Sequence, residues 1–182
     1  PQVSAHGAYD AASRRYTLTL EQQCQPSPGQ PVKAPFLIPV AMGLLGHDGT
    51  ALPLQLDGEP AAQTERVLVL DQPRSSWTFV NLDHEPVPSL MRGFSAPVKL
   101  IDALGDADLL TLLAHDPDPF NRWEAGQRLA LNRMLEALAS LGEPQLDDAF
   151  VDAMRGVLRQ PQLDPAFKEV VLTLPSESNV AE

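Results

Sequence analysis

Cysteine is almost absent from this chain, with Cys24 the single example in 182 residues. One thiol cannot form an internal disulfide, so a disulfide-stapled fold is excluded and a reducing compartment is indicated. Cys24 is interpreted as an incidental residue near a strand end, because no constellation of partner residues supports a thiol nucleophile.

The sequence also lacks long apolar runs and clusters of positive charge. The longest apolar run, at residues 36–46, has about half of the ~20 residues that a membrane span needs, and Pro39 interrupts it. No signal peptide is visible. The net charge is −11 with no basic run, so neither nucleic acid nor an anionic membrane is an expected partner.

The two ends of the sequence look like cut ends. The chain begins with Pro1 rather than methionine. Near its end, Ser176 or Ser178 resembles a helix N-cap, but the residues that follow are not predicted to form a helix. Both observations predict that the sequence is a piece of a longer protein.

The first hundred residues have the pattern of short strands separated by turns. Residues 16–22 alternate apolar and polar side chains, which is the period of a half-buried strand. Asp48-Gly49 supplies a tight hairpin turn, and 12 of the 18 prolines fall in residues 1–102. About seven strands are predicted, at 16–22, 36–45, 51–56, 65–70, 75–82, 88–95 and 97–102. This spacing is typical of a β-sandwich.

The remaining residues change to a helical period. A short helix is predicted at 106–116 with Asp106 as its cap, and Asp118-Pro119 starts a long helix that ends at Gly142. A third helix is predicted over residues 146–159, and Asp164-Pro165 starts a fourth. Helices that are joined by short loops pack antiparallel.

Strands and helices are therefore segregated along the chain, which predicts an α+β fold rather than an α/β fold. We predict an Ig-like antiparallel β-sandwich over residues 1–102, followed by an antiparallel α-helical, α-solenoid-like segment over residues 103–182. The helical part has 6 basic and 14 acidic residues, and these acids are interpreted as caps and solvated faces.

None of the four histidines has a neighbour at metal-ligand spacing. His84-Glu85 starts like a zinc-peptidase helix, but Pro88 stands where the second histidine is required and Pro86 is incompatible with a helix interior. His84 is interpreted as a turn residue. The other three histidines are His6, His47 and His115, of which His47 lies in a hairpin turn and His115 ends a short helix.

Other catalytic patterns are absent as well. The sequence has no G-x-S-x-G elbow, G-x-G-x-x-G loop or P-loop. The carboxylate pairs Asp147-Asp148 and Asp116/Asp118 are interpreted as helix caps. Arg122 with Trp123 suggests a ligand platform, but Trp123 falls on the apolar stripe and is interpreted as core. The residues therefore predict no catalytic, cofactor-binding or metal-binding site.

Two stretches carry a resemblance to a known family. EPVPSLMRGFSAPVKL at 85–100 and LLTLLAHDPDPFNRWEAGQRLA at 109–130 resemble the bacterial aminopeptidase N (alanyl aminopeptidase) family of zinc metallopeptidases. FLIPVAMGLLGHDGTALPLQL and LDPAFKEVVLTLPSE are similar to the same family, so the resemblance covers nearly the whole chain.

The resemblance implies a non-catalytic structural fragment. In that family a β-sandwich joins the catalytic domain to a helical cap, and this chain resembles the sandwich and the start of the cap. The family's H-E-x-x-H zinc motif and G-x-M-E-N motif do not occur here, so no zinc is expected in this piece and no catalytic residue is carried over. The resemblance implies that the parent enzyme is a cytoplasmic bacterial hydrolase that uses zinc to remove N-terminal residues from peptides. The implied partners are the missing catalytic and C-terminal helical regions.

An alternative interpretation is an autonomous Ig-like binding module. An Ig-like sandwich can recognise a protein or glycan through its loops without any catalytic group. That interpretation requires a chain with natural ends.

Overall fold

The computed structural model of the protein describes residues 1–140, 147–176, 178 and 180. The chain divides into two compact units, residues 1–103 and residues 104–182. From the sequence alone, the boundary was predicted after Asp102.

The first unit is built from two four-stranded sheets. The first sheet has the strand order β6-β2-β1-β8, and in the second sheet β3 pairs with β4, β5 and β7. The strands are β1 (Gln2–Asp10), β2 (Arg15–Gln23), β3 (Ile38–Leu45), β4 (Ala51–Leu52), β5 (Arg66–Leu70), β6 (Arg74–Phe79), β7 (Val87–Leu90) and β8 (Lys99–Ile101).

The alternating strand pattern puts one face of each sheet into a shared core. Tyr16, Leu18 and Leu20 of β2 are buried, as are Val40 and Met42 of β3. Burying apolar side chains of this size stabilises the fold by about 1.5–3 kcal/mol each. The core also includes Val3, Ala5, Ile38, Leu44, Leu54, Leu68, Leu70, Phe79, Leu82, Leu90, Met91 and Ala96.

Strand β1 was not predicted from the sequence. Its inward positions include Ala5 and Gly7, so the usual alternation of large apolar residues is missing. A side chain at position 7 would overlap the Tyr16 ring, so the small residue makes room for the aromatic one. β1 also pairs in parallel with β8, a pairing that the strand pattern did not reveal.

The predicted strand at 88–95 is only half correct. Strand β7 ends at Leu90, and a short 3-10 turn follows over Arg92–Phe94. Met91, Gly93 and Phe94 all have positive φ values, of 58°, 61° and 52°, which a strand cannot contain. The predicted return strand at 51–56 is likewise shortened to β4, with isolated bridges at Leu54 and Leu56.

The helices of the second unit include α1 (Asp106–His115), α2 (Pro119–Ser140), α3 (Asp148–Arg159) and α4 (Pro165–Leu172). Asp118 accepts a hydrogen bond from the Asn121 backbone N–H at 2.9 Å, and Asp164 accepts one from Ala166 at 2.7 Å. Both Asp-Pro helix starts predicted from the sequence are therefore confirmed.

Three local predictions need correction or fall outside the described residues. Asp106 is not the cap of α1, because the N-cap is Gly105, whose N–H donates to Asp108 at 3.0 Å. Residues 178 and 180 are helical, and the Val180 N–H donates to the Ser176 carbonyl at 3.2 Å, so the prediction of no helix there was wrong. The predicted helix end at Gly142 lies outside the described residues.

The apolar stripes of the four helices form a second core. Its buried side chains are Leu109, Leu112, Leu113, Ala125, Leu129, Ala130, Phe150, Val157 and Val171. Trp123 is half-buried rather than fully inside, and its ring centroid lies 5.8 Å from that of Phe120.

Candidate functional site beside a buried arginine

The stretch that links α1 to α2 carries a buried guanidinium. Arg122 lies in the first turn of α2 and is 6% exposed. Its Nε donates to the Leu113 carbonyl at 2.9 Å, and its Nη2 donates to the Ala114 carbonyl at 3.0 Å. Arg122 therefore satisfies carbonyls at the C-terminal end of α1, which have no partner within their own helix.

The same guanidinium reaches the end of α3. Arg122 Nη1 donates to Gln160 Oε1 at 3.1 Å, and Gln160 Nε2 donates to the Ala114 carbonyl at 3.2 Å. One arginine thus connects three helices through directional hydrogen bonds, which the planar fork of a guanidinium makes possible.

The charge of Arg122 is balanced by a buried carboxylate. Burial lowers the pKa of Arg122, and the neighbouring Asp116 opposes that shift. Asp116 is 1% exposed, and its Oδ1 accepts the Asp118 N–H at 2.9 Å. A buried ion is tolerated when it is paired and hydrogen-bonded. Asp116 lies beside the guanidinium and is hydrogen-bonded through Oδ1, while its buried Oδ2 accepts no hydrogen bond from the described residues.

A cavity of about 460 Å³ opens beside this arginine. Its lining includes His115, Asp116, Arg122, Gln160 and Phe167. The lining mixes cationic, carboxylate and amide groups, and Arg122 and Gln160 are engaged in joining helices. These hydrogen bonds make the arginine a structural junction between helices.

A second arginine of α2 joins the opposite ends of α1 and α3. Arg133 Nη2 lies 2.5 Å from Asp147 Oδ2, and its Nη1 lies 3.0 Å from Asp106 Oδ2. The guanidinium carbon also lies 5.3 Å from the centre of the Phe150 ring, within the range of a cation–π contact. Asp147 caps α3 by accepting the Phe150 N–H at 2.7 Å, as the sequence predicted.

The sandwich contains a buried arginine of its own. Arg92 is 9% exposed, its Nε donates to Ser89 Oγ at 2.8 Å, and its Nη1 donates to Glu65 Oε1 at 2.8 Å. A Cβ on Gly43 would overlap the Arg92 guanidinium, so the glycine makes room for it against β3. Arginines therefore join elements within each unit, a role that no local sequence pattern predicted for them.

The four histidines do not lie together in one site. His6, His47, His84 and His115 are all exposed. His84 lies next to the Gly46–Thr50 turn, where its charge contributes to lowering the pKa of Asp48, after the hydrogen bonds from Thr50. Within residues 1–140 and 147–176, no group of three His, Cys, Asp or Glu side chains is placed to hold a metal ion.

Family models match both units. Residues 1–103 match a domain of unknown function, DUF3458, described as having an Ig-like fold. Residues 106–182 match its C-terminal counterpart, described as ARM repeats. These descriptions agree with the sheets of the first unit and the helices of the second.

Curated relatives match over the full length of the chain. Aminopeptidase N from Escherichia coli is 36% identical over 185 residues, and the chain covers 21% of it. Aminopeptidase N from Caulobacter vibrioides is 39% identical over 181 residues, with 20% of it covered. The Haemophilus influenzae protein of the same name is 31% identical, with 21% covered. The chain spans about a fifth of the length of these relatives.

A solved structure agrees with the same relationship. Legionella pneumophila aminopeptidase A, in complex with aspartic acid, matches 96% of this chain with a TM-score of 0.77 and 25% identity. The match covers 18% of that protein. The chain therefore belongs to the DUF3458 family, and along its whole length it is homologous to one region of the bacterial aminopeptidases N.

Proposed function

We propose that residues 1–182 are a non-catalytic structural part of a zinc-dependent aminopeptidase that removes N-terminal amino acids from peptides. The main support is the full-length match to aminopeptidase N from three bacteria, of which the chain covers only about a fifth. In this proposal the sandwich joins the catalytic domain to a helical cap, and residues 103–182 form the first part of that cap.

The zinc and the catalytic groups are proposed to lie elsewhere in the parent enzyme. The sequence has no H-E-x-x-H motif, and the described residues offer no cluster of three metal-binding side chains. Because these residues do not fit a zinc ion, no chemical step is assigned to them. Their buried arginines instead fix the relative positions of elements within each unit.

The partners are proposed to be the other regions of the same polypeptide. The second unit matches ARM repeats, and such repeats bury their apolar faces by stacking on neighbouring repeats. Leu158, Val170 and Leu174 are 55%, 52% and 53% exposed. Further helices of the cap would cover these side chains.

The parent enzyme is proposed to work in the bacterial cytoplasm on peptide substrates. The single cysteine is consistent with a reducing compartment. None of the helices in the described part of the chain combines the length and apolar character that a membrane span needs. The net charge of −11 gives the chain no electrostatic attraction to nucleic acid or anionic lipid.

The test is a paired measurement of zinc and turnover. Bound zinc is measured by elemental analysis, and hydrolysis of a chromogenic alanine substrate is followed, for the 182-residue chain and for the full-length protein. We expect zinc and turnover in the full-length protein and neither in the 182-residue chain. Stoichiometric zinc with turnover in the 182-residue chain would refute the proposal, and variants of the four histidines would then locate the site.

A further inference from the structure

The sequence contains two Asp-Gly pairs, Asp48-Gly49 and Asp57-Gly58, and both lie in turns of the first unit. Asp-Gly is a dipeptide that can isomerise without an enzyme, because glycine has no side chain to shield its amide nitrogen from the neighbouring carboxyl group. Gly49 and Gly58 have nearly equal φ values, of 84° and 86°. The two pairs are therefore alike in sequence and in glycine conformation, but they differ in their hydrogen bonds.

The turn over residues 46–49 holds both of the groups that would have to react. The Gly49 N–H donates to the Gly46 carbonyl at 2.8 Å. The Asp48 carboxylate accepts the Thr50 backbone N–H at 3.0 Å and the Thr50 hydroxyl at 2.7 Å. Bringing the Gly49 nitrogen to the Asp48 carboxyl group therefore requires that these three hydrogen bonds break.

The turn over residues 56–59 places its glycine one position earlier. Here the Glu59 N–H closes the turn by donating to the Leu56 carbonyl at 3.0 Å, and Gly58 is the third residue. The Gly58 N–H has no hydrogen-bond acceptor among the described residues. Apart from the adjoining residues, no atom lies within 4 Å of the place that a Cβ on Gly58 would occupy. The nitrogen that would have to react is therefore not held by a hydrogen bond, and its surroundings are open.

The Asp57 carboxylate is restrained by Arg15 of β2. Arg15 donates to it through Nη1 at 2.8 Å and through Nη2 at 3.3 Å. The side chain of Arg15 is 44% exposed and that of Asp57 is 55% exposed, and ion pairs between exposed side chains are weak. The carboxyl group can therefore leave Arg15 and approach the Gly58 nitrogen at little cost.

We propose that Asp57-Gly58 is a site of spontaneous isoaspartate formation in the folded protein, and that Arg15 slows the reaction. The Gly58 nitrogen attacks the side-chain carboxyl carbon of Asp57 and a C–N bond forms. The C–O bond to the carboxyl hydroxyl breaks, and the hydroxyl leaves as water with the amide proton. Water then opens the resulting succinimide at either carbonyl, which gives back aspartate or gives isoaspartate, whose main chain runs through the side-chain methylene.

Isoaspartate at position 57 changes the turn and creates a new chemical group. The main chain becomes one carbon longer at a residue whose N–H donates to the Thr78 carbonyl at 2.9 Å. The free carboxylate is then the one on the α-carbon, so the negative charge moves away from Arg15. An exposed isoaspartyl carboxylate is the substrate of methyltransferases that recognise this group, and an enzyme of that class is the implied partner.

Incubation of the full-length protein in heavy-oxygen water tests this proposal, because each opening of a succinimide leaves one heavy oxygen atom at the aspartate. Tandem mass spectrometry assigns that atom to Asp57 or to Asp48, which is the matched control in the same molecule. In native protein we expect incorporation at least ~10-fold faster at Asp57, because the reaction at Asp48 has to break three hydrogen bonds. In urea the two rates should be similar. Methylation of the aged protein by an isoaspartate methyltransferase should label the peptide that contains Asp57.

Arg15→Gln measures the restraint on the carboxylate. The variant should speed incorporation at Asp57 by about 2–5-fold, which corresponds to the loss of one exposed ion pair, and should leave Asp48 unchanged. An unchanged rate at Asp57 in R15Q would refute the role of Arg15. Equal native rates at Asp57 and Asp48, or no incorporation at either site while both react in urea, would overturn the proposed modification site.

Discussion

Arg133 of α2 reaches Asp147, the residue that caps α3, with its Nε 2.6 Å from the carboxylate oxygen Oδ2. The same carboxylate accepts the Phe150 backbone N–H through Oδ1. Asp147 therefore both starts α3 and ties it to α2. These contacts, with the hydrogen bond from Phe150 first, hold the pKa of Asp147 below its ordinary value of 3.8.

The Asp147 contacts predict a specific acid sensitivity. A depressed folded-state pKa contributes stability above the unfolded pKa, and that contribution is lost as pH falls through the folded value. Asp147→Asn keeps a cap acceptor but removes the charge, so we expect a loss of about 0.5–1 kcal/mol at pH 7. The difference between the free energies of unfolding of the variant and of the wild type should become smaller below about pH 4. Urea unfolding at several pH values measures it.

Asp147→Ala distinguishes the contribution of the helix cap from the contribution of the ion pair. It removes the acceptor as well as the charge, so a further cost of about 1 kcal/mol is expected at every pH. The pH dependence must be read as a difference, because the pKa values of Asp10, Asp48 and Glu59 are also depressed. A D147N variant whose deficit is unchanged at low pH would contradict this role of the carboxylate charge.

Removing Arg122 is expected to destabilise the helical unit strongly. Arg122→Ala leaves the Leu113 and Ala114 carbonyls without their guanidinium donor and leaves the buried Asp116 without its neighbouring cation, which typically costs about 3–5 kcal/mol. Arg122→Lys keeps the charge but cannot reproduce the planar fork, so it is expected to remain destabilised. Thermal unfolding followed by circular dichroism at the helical band measures both.

Arg155→Ala is the matched control for the Arg122 variants. Arg155 pairs with Asp152 on the surface of α3, and both side chains are more than half exposed. Its removal is expected to change stability by less than about 0.5 kcal/mol. Equal losses for the Arg122 and Arg155 variants would contradict the helix junction.

The close packing of Gly43 and Arg92 predicts a costly glycine substitution. Gly43→Ala places a methyl group where the guanidinium lies, so Arg92 must leave Ser89 and Glu65, at a cost of about 2–3 kcal/mol. Combining it with Arg92→Ala should give a total cost smaller than the sum of the two, because the overlap disappears. Chemical unfolding of the four proteins measures this coupling.

Gly156→Ala is the control for Gly43→Ala, because no neighbouring atom restricts the space beside Gly156. Gly156 lies within α3, and a Cβ there meets no atom within 4 Å. Alanine is the better helix former, so this variant is expected to gain about 0.5–1 kcal/mol. A loss at both glycines would argue against a special role for the space beside Gly43.

Gln22 is expected to protect the proline-rich loop between β2 and β3 from proteolysis. Its amide makes hydrogen bonds with the backbone of Phe36 and with the Gln72 carbonyl, the latter at 3.0 Å. Lys33 is the single basic residue of that loop. Gln22→Ala should speed tryptic cleavage after Lys33 by about 10-fold, since each lost hydrogen bond is worth about 1 kcal/mol. The exposed neighbour Gln23→Ala should leave the rate unchanged.

Much of the fold is predictable because its signals are local. The alternation of β2 and the Asp-Pro starts of α2 and α4 depend on residues within about four positions of each other. Strand β1 was not predicted because two of its inward positions, Ala5 and Gly7, are small, and a side chain at position 7 would overlap Tyr16 of the neighbouring strand. The turn at Met91–Phe94 escaped because its three positive φ values are not encoded by a run of turn-forming residues.

The buried arginines could not be assigned from sequence, because their partners are remote. Arg122 meets Gln160, which lies 38 positions away, and Arg92 meets Glu65 across 27 positions. The helical spacing could have indicated that Arg122 is buried, because Arg122 falls on the same side of α2 as buried Ala125 and Leu129. An arginine on an apolar stripe has to find acceptors when it is buried.

The sequence by itself determined the order of strands before helices, the helix starts at Asp118 and Asp164, and the resemblance to aminopeptidases. Each of these depends on hydrophobic periodicity, on helix capping or on a sequence motif, and all three involve residues that are close together in the sequence. Only the tertiary structure decided that β1 pairs in parallel with β8 and that Arg92 and Arg122 are buried. Those features depend on contacts and hydrogen bonds between residues that are far apart in the sequence, and a local sequence pattern does not specify such contacts.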